Sequence, residues 1–262
     1  MNRALQTAAS GMYAQQLNID TIANNLSNVN STAFKKVRPE FQDLMYQTIQ
    51  ASGISQDPSV QVPVELQVGN GVTPSATLRF FAQGSIEATS NPLDLAIQGD
   101  GFLQVRRPDG TVVYTRDGAL KLSADGMLVT PQGYQLEPGL VLPQDTTEVS
   151  ISRDGVVEVQ TTGPGGTLRV GQIELAKFVN PAGLRAIGNN LFEETVASGA
   201  PLFGAPGSEE FGETLQGHLE SSNVDIVEEM ISMITAQRAY EINAKTIKTV
   251  EEMLTIANGL KR

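Results

Sequence analysis

The chain has 262 residues, 40% of them hydrophobic, which is enough for two compact units or for one domain with appendages. Its formal net charge is −11 and it contains no block of lysine or arginine, which argues against binding to nucleic acid or to an anionic membrane. Cysteine is absent, which excludes disulfides and thiolate metal sites, and no apolar run approaches the roughly eighteen residues of a membrane-spanning helix.

Residues 1–30 form a predicted helix with two heptad rows. One row is Leu5, Met12, Ile19 and Leu26, and the other is Ala8, Gln15, Ile22 and Val29. The other faces carry mostly uncharged polar residues, which favours a helix surrounded by other helices, since buried charges cost more than buried hydrogen bonds. The alternative is an ordinary helix packed on its own domain. Gln6 and Thr7 interrupt the apolar region of a secretory signal, so we expect no signal peptide.

Residues 31–76 are a predicted connecting segment. The helix is expected to end near residues 28–31, where Asn and Ser favour turn geometry, and residues 40–50 fit either a helix or an extended strand. Gly53, Pro58 and Pro63 among Ser and Gln predict a linker or long loop over residues 47–63. The run LQVGNGV at residues 66–72 predicts a strand, an Asn-Gly turn and a second strand.

Residues 77–216 form a predicted, mainly antiparallel β-domain, because the apolar pattern there changes to a period of two. Residues 102–105 and 112–115 flank Pro108-Asp109-Gly110, which predicts a hairpin. Asp-Gly pairs recur at residues 100–101, 109–110, 117–118, 125–126 and 154–155, and each can supply the positive φ angle of a tight turn. Calcium binding is disfavoured because none of these pairs belongs to a D-x-[DN]-x-[DN]-G loop.

Residues 217–262 form a predicted hinge and a second long helix. Its seam follows steps of four and three through Ile226, Met230, Met233, Gln237, Tyr240, Ala244, Ile247, Glu251 and Leu254. Ser222 and Asp225 predict a variant capping box, and the early acids Glu228 and Glu229 suit the helix dipole. The fold class is therefore α+β, with long terminal coiled-coil helices flanking a β-domain.

Catalytic and cofactor patterns are missing from the sequence. His218 is the single histidine, and neither a G-x-S-x-G elbow nor a nucleotide-binding glycine pattern occurs. We therefore predict no catalytic residues, no cofactor and no metal site. The alternative from another functional class is a soluble enzyme or carbohydrate-binding β-domain that its helices merely dimerise.

Three sequence stretches resemble one known family. They are GMYAQQLN with IANNLSNVNSTAFK at residues 11–18 and 22–35, NPLDLAIQGDGF at residues 91–102, and SNVD with MITAQRAYE at residues 222–225 and 233–241. They resemble the signatures of bacterial flagellar rod and hook proteins, in the same order and across the whole chain. The length and the run at residues 66–72 are most similar to those of distal rod subunits; the alternative is a proximal rod or hook subunit.

The resemblance implies a structural, non-enzymatic subunit that assembles with its own copies into a helical tube. Such a tube crosses the periplasm inside the P- and L-ring bushings and transmits motor torque to the hook. The implied partners are other rod proteins, the hook protein, the ring bushings and the flagellar type III export apparatus, with no nucleic acid and no membrane insertion. Export through that apparatus agrees with the expectation of no signal peptide.

The resemblance also implies that the terminal helices pair to line the tube. The polymerisation interface is therefore expected along both seams, at Leu5, Met12, Ile19, Ile22, Leu26, Val29, Ile226, Met230, Met233, Tyr240, Ile247 and Leu254. Residues 47–63, which include Gln47, Pro58 and Pro63, are expected to pack across neighbouring subunits and to stiffen the tube. The alternative for this segment is a solvent-exposed loop.

Overall fold

The computed structural model describes residues 2–50, 53–54, 61–62, 64–161 and 166–259. Contacts within the chain divide it into two units. The helical unit comprises Met1–Ser27, Val37–Leu78 and Asp225–Arg262, and the β unit comprises Asn28–Lys36 and Arg79–Val224. Two long helices and a mainly antiparallel set of strands confirm the predicted α+β fold class.

The two helices are α1, Asn2–Ser27, and α2, Ile226–Gly259, and they pack against each other in the helical unit. The N-terminal cap of α2 is Asp225, whose Oδ1 accepts the backbone N–H groups of Val227 at 2.8 Å and Glu228 at 3.1 Å. Ser222, predicted to share this role, instead accepts the N–H of Val224 through its Oγ at 3.3 Å, ahead of the helix. The shorter reach from Asp225 to the first free N–H groups explains the difference.

The connecting segment forms a two-stranded β-arm. Its strands are β1 Val37–Asp43, β2 Gln47–Gln50, β3 Gly53–Ile54, β4 Gln61–Val62, β5 Leu66–Val68 and β6 Val72–Arg79. β1 pairs with β6, β2 with β5 and β3 with β4, so successive pairs extend one hairpin. Within the predicted loop at residues 47–63, the described residues 47–50, 53–54 and 61–62 are paired strands, because strand pairing satisfies their backbone groups within the chain. Pro58 and Pro63 lie outside the described residues.

The predicted Asn-Gly turn lies between two strands that do not pair with each other. β5 and β6 confirm the two strands predicted around it, but β5 pairs with β2 and β6 with β1. Gly71 has a φ angle of +103°, and its carbonyl oxygen accepts the N–H of Leu44 at 2.9 Å. The turn therefore joins two successive sections of the arm. Residues 40–50, which fit helix or strand in sequence, fall in β1, β2 and their link.

The β unit is built around one nine-stranded sheet. The strands of the unit are β7 Ile86–Ala88, β8 Leu95–Gln98, β9 Phe102–Arg106, β10 Val112–Thr115, β11 Lys121–Leu122, β12 Leu128–Val129, β13 Gln135–Glu137, β14 Thr146–Ile151, β15 Val156–Thr161, β16 Thr167–Gln172, β17 Leu175–Lys177, β18 Arg185–Gly188, β19 Leu191–Glu193, β20 Leu202–Gly204, β21 Glu213–Gln216 and β22 His218–Glu220. The order in the large sheet is β11-β12-β13-β9-β10-β19-β18, with β17 beside β9 and β20 beside β17. The smaller sheets are β14-β15-β16, β21-β8 and β22-β7.

Two clusters of buried side chains form the core of the β unit. The larger is aliphatic and includes Leu95, Leu103, Val157 and Leu175, all with no exposed surface. The smaller is aromatic, with the Tyr114 and Phe178 rings meeting edge to face at 4.8 Å between centroids. Burial, with a smaller contribution from the charge of Glu194, raises the pKa of Tyr114 to about 12.

The glycines of the Asp-Gly pairs have the predicted positive φ angle at four of the five positions. Gly101, Gly110, Gly126 and Gly155 have positive φ angles, and Gly110 lies in the connection of the β9–β10 hairpin, which confirms the hairpin predicted there. Gly118 differs: its φ is not positive, and a Cβ atom at this position would collide with the carbonyl group of Leu95. Glycine is needed at residue 118 for close backbone approach.

Candidate interaction surfaces

α1 and α2 form an antiparallel pair with two close contacts. In the first half of α1, a Cβ atom on Gly11 would lie 3.0 Å from Nδ2 of Asn243, near the middle of α2. Near the C-terminus of α1, Nδ2 of Asn25 donates a hydrogen bond to Oε2 of Glu229, early in α2, at 3.1 Å. Asn25 and Glu229 are both buried. The two contacts fix the rotation and the register of the helices, because buried polar groups must meet their partners.

On α1, the structure buries or half-buries the helical residues of both predicted rows. Ala8 and Ile22 are buried, and Leu5, Met12, Gln15, Ile19 and Leu26 are half-buried. Val29 follows the helix and is half-buried within the β unit. Ala14 and Asn25 are more deeply buried than most of these, and the heptad pattern does not include them.

On α2, one predicted row faces inward and the other is displaced by one residue. Met233, Ile247 and Leu254 are half-buried, while Tyr240 in the same row is 39% exposed. The second inward row consists of Glu229, Ala236 and Val250, which are buried, and Asn243, which is half-buried. The sequence pattern gave Met230, Gln237 and Glu251, which are exposed, and Ala244, which is half-buried. Met230 is 52% exposed, and Ile226 is also exposed.

The displacement has a physical reason. α2 carries large apolar residues on several sides, so its hydrophobic pattern does not select one inward face. The contacts with Asn25 and Gly11 of α1 make that selection, and they place the polar residues Glu229 and Asn243 inside. No local signal in the sequence links these pairs.

The first section of the arm, which is the pair of strands β1 and β6, is hydrogen-bonded to α1 at both of its ends. Asn25 donates through Nδ2 to the carbonyl oxygen of Val37 at 2.8 Å, and its Oδ1 accepts the N–H of Val37 at 3.0 Å. At the other end of this section, the N–H of Val72 donates to Oγ of Ser10 at 3.3 Å. A Cβ atom at Gly71 would collide with the same Ser10 hydroxyl. The arm therefore begins from a fixed position within the helical unit.

A second apolar surface lies on the side of α2 away from α1. This surface, called here the outer α2 face, consists of Val227, Met230, Ile231, Ile234, Ile242, Met253 and Ile256, all about half exposed or more. The first four follow the i, i+3, i+4, i+7 spacing of a helix-binding stripe. An apolar surface of this kind marks an interaction site.

The arm carries a further exposed apolar surface. This arm patch consists of Phe41, Leu44, Met45, Tyr46, Ile49, Val64 and Leu66, with Met45 the most exposed at 88%. The side chain of Gln47, at the start of β2, is exposed as well. Large apolar side chains on a narrow two-stranded arm cannot be covered by the arm itself, so they also mark an interaction site.

Within the residues that the structure describes, no group of three or more His, Asp and Glu side chains is placed to hold a metal ion. In the same residues, no helix is long and apolar enough to cross a membrane. His218 lies in β22, half-buried, with Nδ1 2.7 Å from the carbonyl oxygen of Gln216.

Comparison with known proteins gives three family matches along the chain. The model described as flagella basal body rod protein matches residues 5–35. The flagellar hook protein FlgE/F/G D1 domain matches residues 96–159, and the flagellar basal body rod FlgEFG protein C-terminal model matches residues 215–260.

Relatives match over the full length. The flagellar basal-body rod protein FlgG of Borreliella burgdorferi is 52% identical over 264 residues, covering 100% of both chains. That of Caulobacter vibrioides is 48% identical over 261 residues, covering 99% of both. The crystal structure of the Helicobacter pylori flagellar hook protein FlgE2 aligns with a TM-score of 0.25 and 17% identity, over 60% of this chain and 47% of that chain.

Proposed function

Because this chain belongs to the family of flagellar basal-body rod proteins FlgG, we propose that it assembles through the outer α2 face and the arm patch. It is a structural subunit of the bacterial flagellar distal rod and not an enzyme. The family models are shared by rod and hook proteins, but the full-length relatives at 48% and 52% identity are rod proteins, which disfavours the hook alternative.

The outer α2 face is the observation that supports assembly through the helices. α2 already buries one side against α1, yet it keeps large apolar side chains on the opposite side. Complete burial of such a side chain contributes about 1.5–3 kcal/mol, so covering several of them gives a neighbouring copy a substantial gain. A helix with apolar residues on both sides suits the interior of a multi-helix assembly.

The arm patch supports a second contact between copies. We place the arm across neighbouring subunits, where its apolar side chains are covered and the freedom of helices to slide past one another is reduced. The neighbours expected beyond other copies are further rod proteins, the hook protein, the P- and L-ring bushings and the flagellar type III export apparatus. These partners are inferred from the family relationship alone. The periplasmic position of the subunit and its export without a signal peptide are inferred from the same relationship.

Sedimentation of the purified chain distinguishes assembly from simple dimerisation. We expect open-ended growth with concentration and straight tubes in electron micrographs, whereas a helix-dimerised module gives a closed oligomer. The Ile234→Asp variant should not grow, because it places a charge on the outer α2 face. Its thermal transition should stay unchanged, because Ile234 is 49% exposed.

The matched control is Val196→Asp, which places the same charge on a fully exposed residue of the β unit. This variant should assemble like the parent chain. A closed dimer at every concentration, or growth of Ile234→Asp as efficient as that of the parent, would contradict the proposal.

A further inference from the structure

Three charged side chains are buried together inside the β unit. Lys35 and Glu220 have no exposed side-chain surface, and Arg116 is 4% exposed. Lysine, glutamate and arginine are almost never fully buried unless they are paired. This charge cluster contains two cations and one anion, so Glu220 is shared between Lys35 and Arg116.

The Glu220 carboxylate makes specific contacts with both cations and with the backbone. Its Oε1 accepts hydrogen bonds from Nζ of Lys35 and from the N–H of Gly84, the latter at 2.9 Å. Oε2 lies 3.7 Å from Nε of Arg116 and has no hydrogen-bond partner among the described residues. Lys35 also donates to the carbonyl oxygen of Ala82 at 2.8 Å, and Arg116 donates to that of Gly101 at 3.0 Å.

Burial lowers the pKa of Lys35, and the charge of Arg116 adds to this shift. The negative charge of Glu220 and its hydrogen bond oppose the shift. Glu220 is thus the group that keeps an ammonium acceptable at this buried position.

The cluster joins three segments of the β unit that adjoin its boundaries along the chain. Lys35 belongs to the segment after α1, Ala82 and Gly84 belong to the segment after the arm, and Glu220 ends the strand before α2. Backbone contacts link the same segments: the N–H of Ala33 donates to the carbonyl oxygen of Glu220, and that of Ser221 to Ser85, both at 2.8 Å. Residues 31–36, 80–85 and 217–223 are called the junction below.

We propose that Glu220 couples the three segments of the junction, so that the segment after α1 and the strand before α2 are ordered in the β unit together or not at all. Removing Glu220 leaves two buried cations without their anion, and removing Lys35 leaves the buried carboxylate with Arg116 alone, at 3.7 Å. Either change costs far more than an exposed ion pair contributes. The segment that carries the remaining charge then opens to water, although its own sequence is unchanged. Because Glu220 serves two cations, its loss has a larger effect than the loss of Lys35.

Amide hydrogen exchange on the full chain tests this coupling. The Lys35→Met variant should accelerate exchange at residues 217–223, on the opposite side of the ion pair, by a factor on the order of a hundred. The Glu220→Gln variant should accelerate exchange at residues 31–36 by more than that. Amides of β9 and β10 should exchange as in the parent, because the core does not depend on the junction.

A double variant and a surface control complete the test. Lys35→Met with Glu220→Gln removes both members of the closer pair, keeps an acceptor for Gly84 and leaves Arg116 on the carbonyl oxygens of Gly99 and Gly101. One buried cation then lacks its anion instead of two, so exchange at the junction should be slower than in Glu220→Gln. Arg185→Met removes an exposed ion pair with Glu193 and should change nothing at the junction.

Three results would overturn the proposal. They are acceleration confined to the segment that carries the substitution, equal acceleration in β9 and β10, and a double variant at least as open as Glu220→Gln. If a single variant fails to fold, the double variant still tests the proposal. The coupling requires the double variant to fold, so a double variant that does not fold would refute the proposal.

Discussion

Replacing Ala236 by aspartate is expected to separate α1 from α2 and to stop assembly, whereas the same change at Gln237 leaves both intact. Ala236 is 3% exposed and faces α1, while its neighbour Gln237 is exposed. An aspartate carboxylate at this buried position would lose its contact with water without gaining a cation in exchange. We therefore expect the stability of the helix pair to fall by about 3 kcal/mol or more. The β unit has its own core and should keep its thermal transition.

Hydrogen exchange along α1 and sedimentation of both variants measure this effect. The predicted result is rapid exchange throughout α1 and no polymer for Ala236→Asp, with near-parental behaviour for Gln237→Asp. The reverse ranking would mean that α2 is rotated by one residue, with the row containing Met230 and Gln237 facing α1.

Deleting residues 47–63 is expected to leave assembly possible and to make the tubes flexible. The deletion touches neither helix, and the first section of the arm keeps its contacts with Asn25 and Ser10 of α1. It removes β2 to β4, including Gln47 and Ile49, together with Pro58 and Pro63. The deletion removes Ile49 from the arm patch and takes away β2, the pairing partner of β5. The contact that we assign to the arm patch is therefore weakened, and tubes in electron micrographs should be curved.

A variant that keeps the full length of the arm shows whether the tubes bend because apolar contacts are lost or because the arm is shorter. Replacing Met45 and Ile49 by serine removes two exposed apolar side chains of the arm patch, so its tubes should also bend. Replacing Leu122, which is exposed on the β unit, by serine is the matched control and should leave the tubes straight. Tubes of the deletion variant as straight and stiff as those of the parent would show that the segment is only a linker.

The sequence predicted those helices and hairpins that are determined by residues close together in the chain. Two long helices follow from heptads with few glycines or prolines, and the β9–β10 hairpin follows from Asp109-Gly110 between two apolar runs. The residues of α1 that face α2 were also predictable, because its apolar residues keep largely to one side.

Contacts between distant residues were not predictable in this way. Asn25 and Glu229 are 204 residues apart, and Lys35 and Glu220 are 185 apart, so no window of sequence relates them. The inward row of α2 depends on the first pair, because apolar residues on several sides of α2 leave its pattern ambiguous. Strands β3 and β4 of the arm were missed for a related reason, since Gln, Ser, Gly and Pro gave a loop pattern that cross-strand pairing overrides.

Chemical labelling of a single introduced cysteine tests the central claim, that copies of the chain cover the outer α2 face of one another. The chain contains no cysteine, so an Ile231→Cys variant reports on this face alone, and Val196→Cys reports on an exposed position of the β unit. In dilute solution both thiols should react readily. In sedimented polymer the thiol at residue 231 should react more slowly by about tenfold or more, while that at residue 196 keeps its rate. Equal reactivity at residue 231 in polymer and in dilute chain would contradict the account.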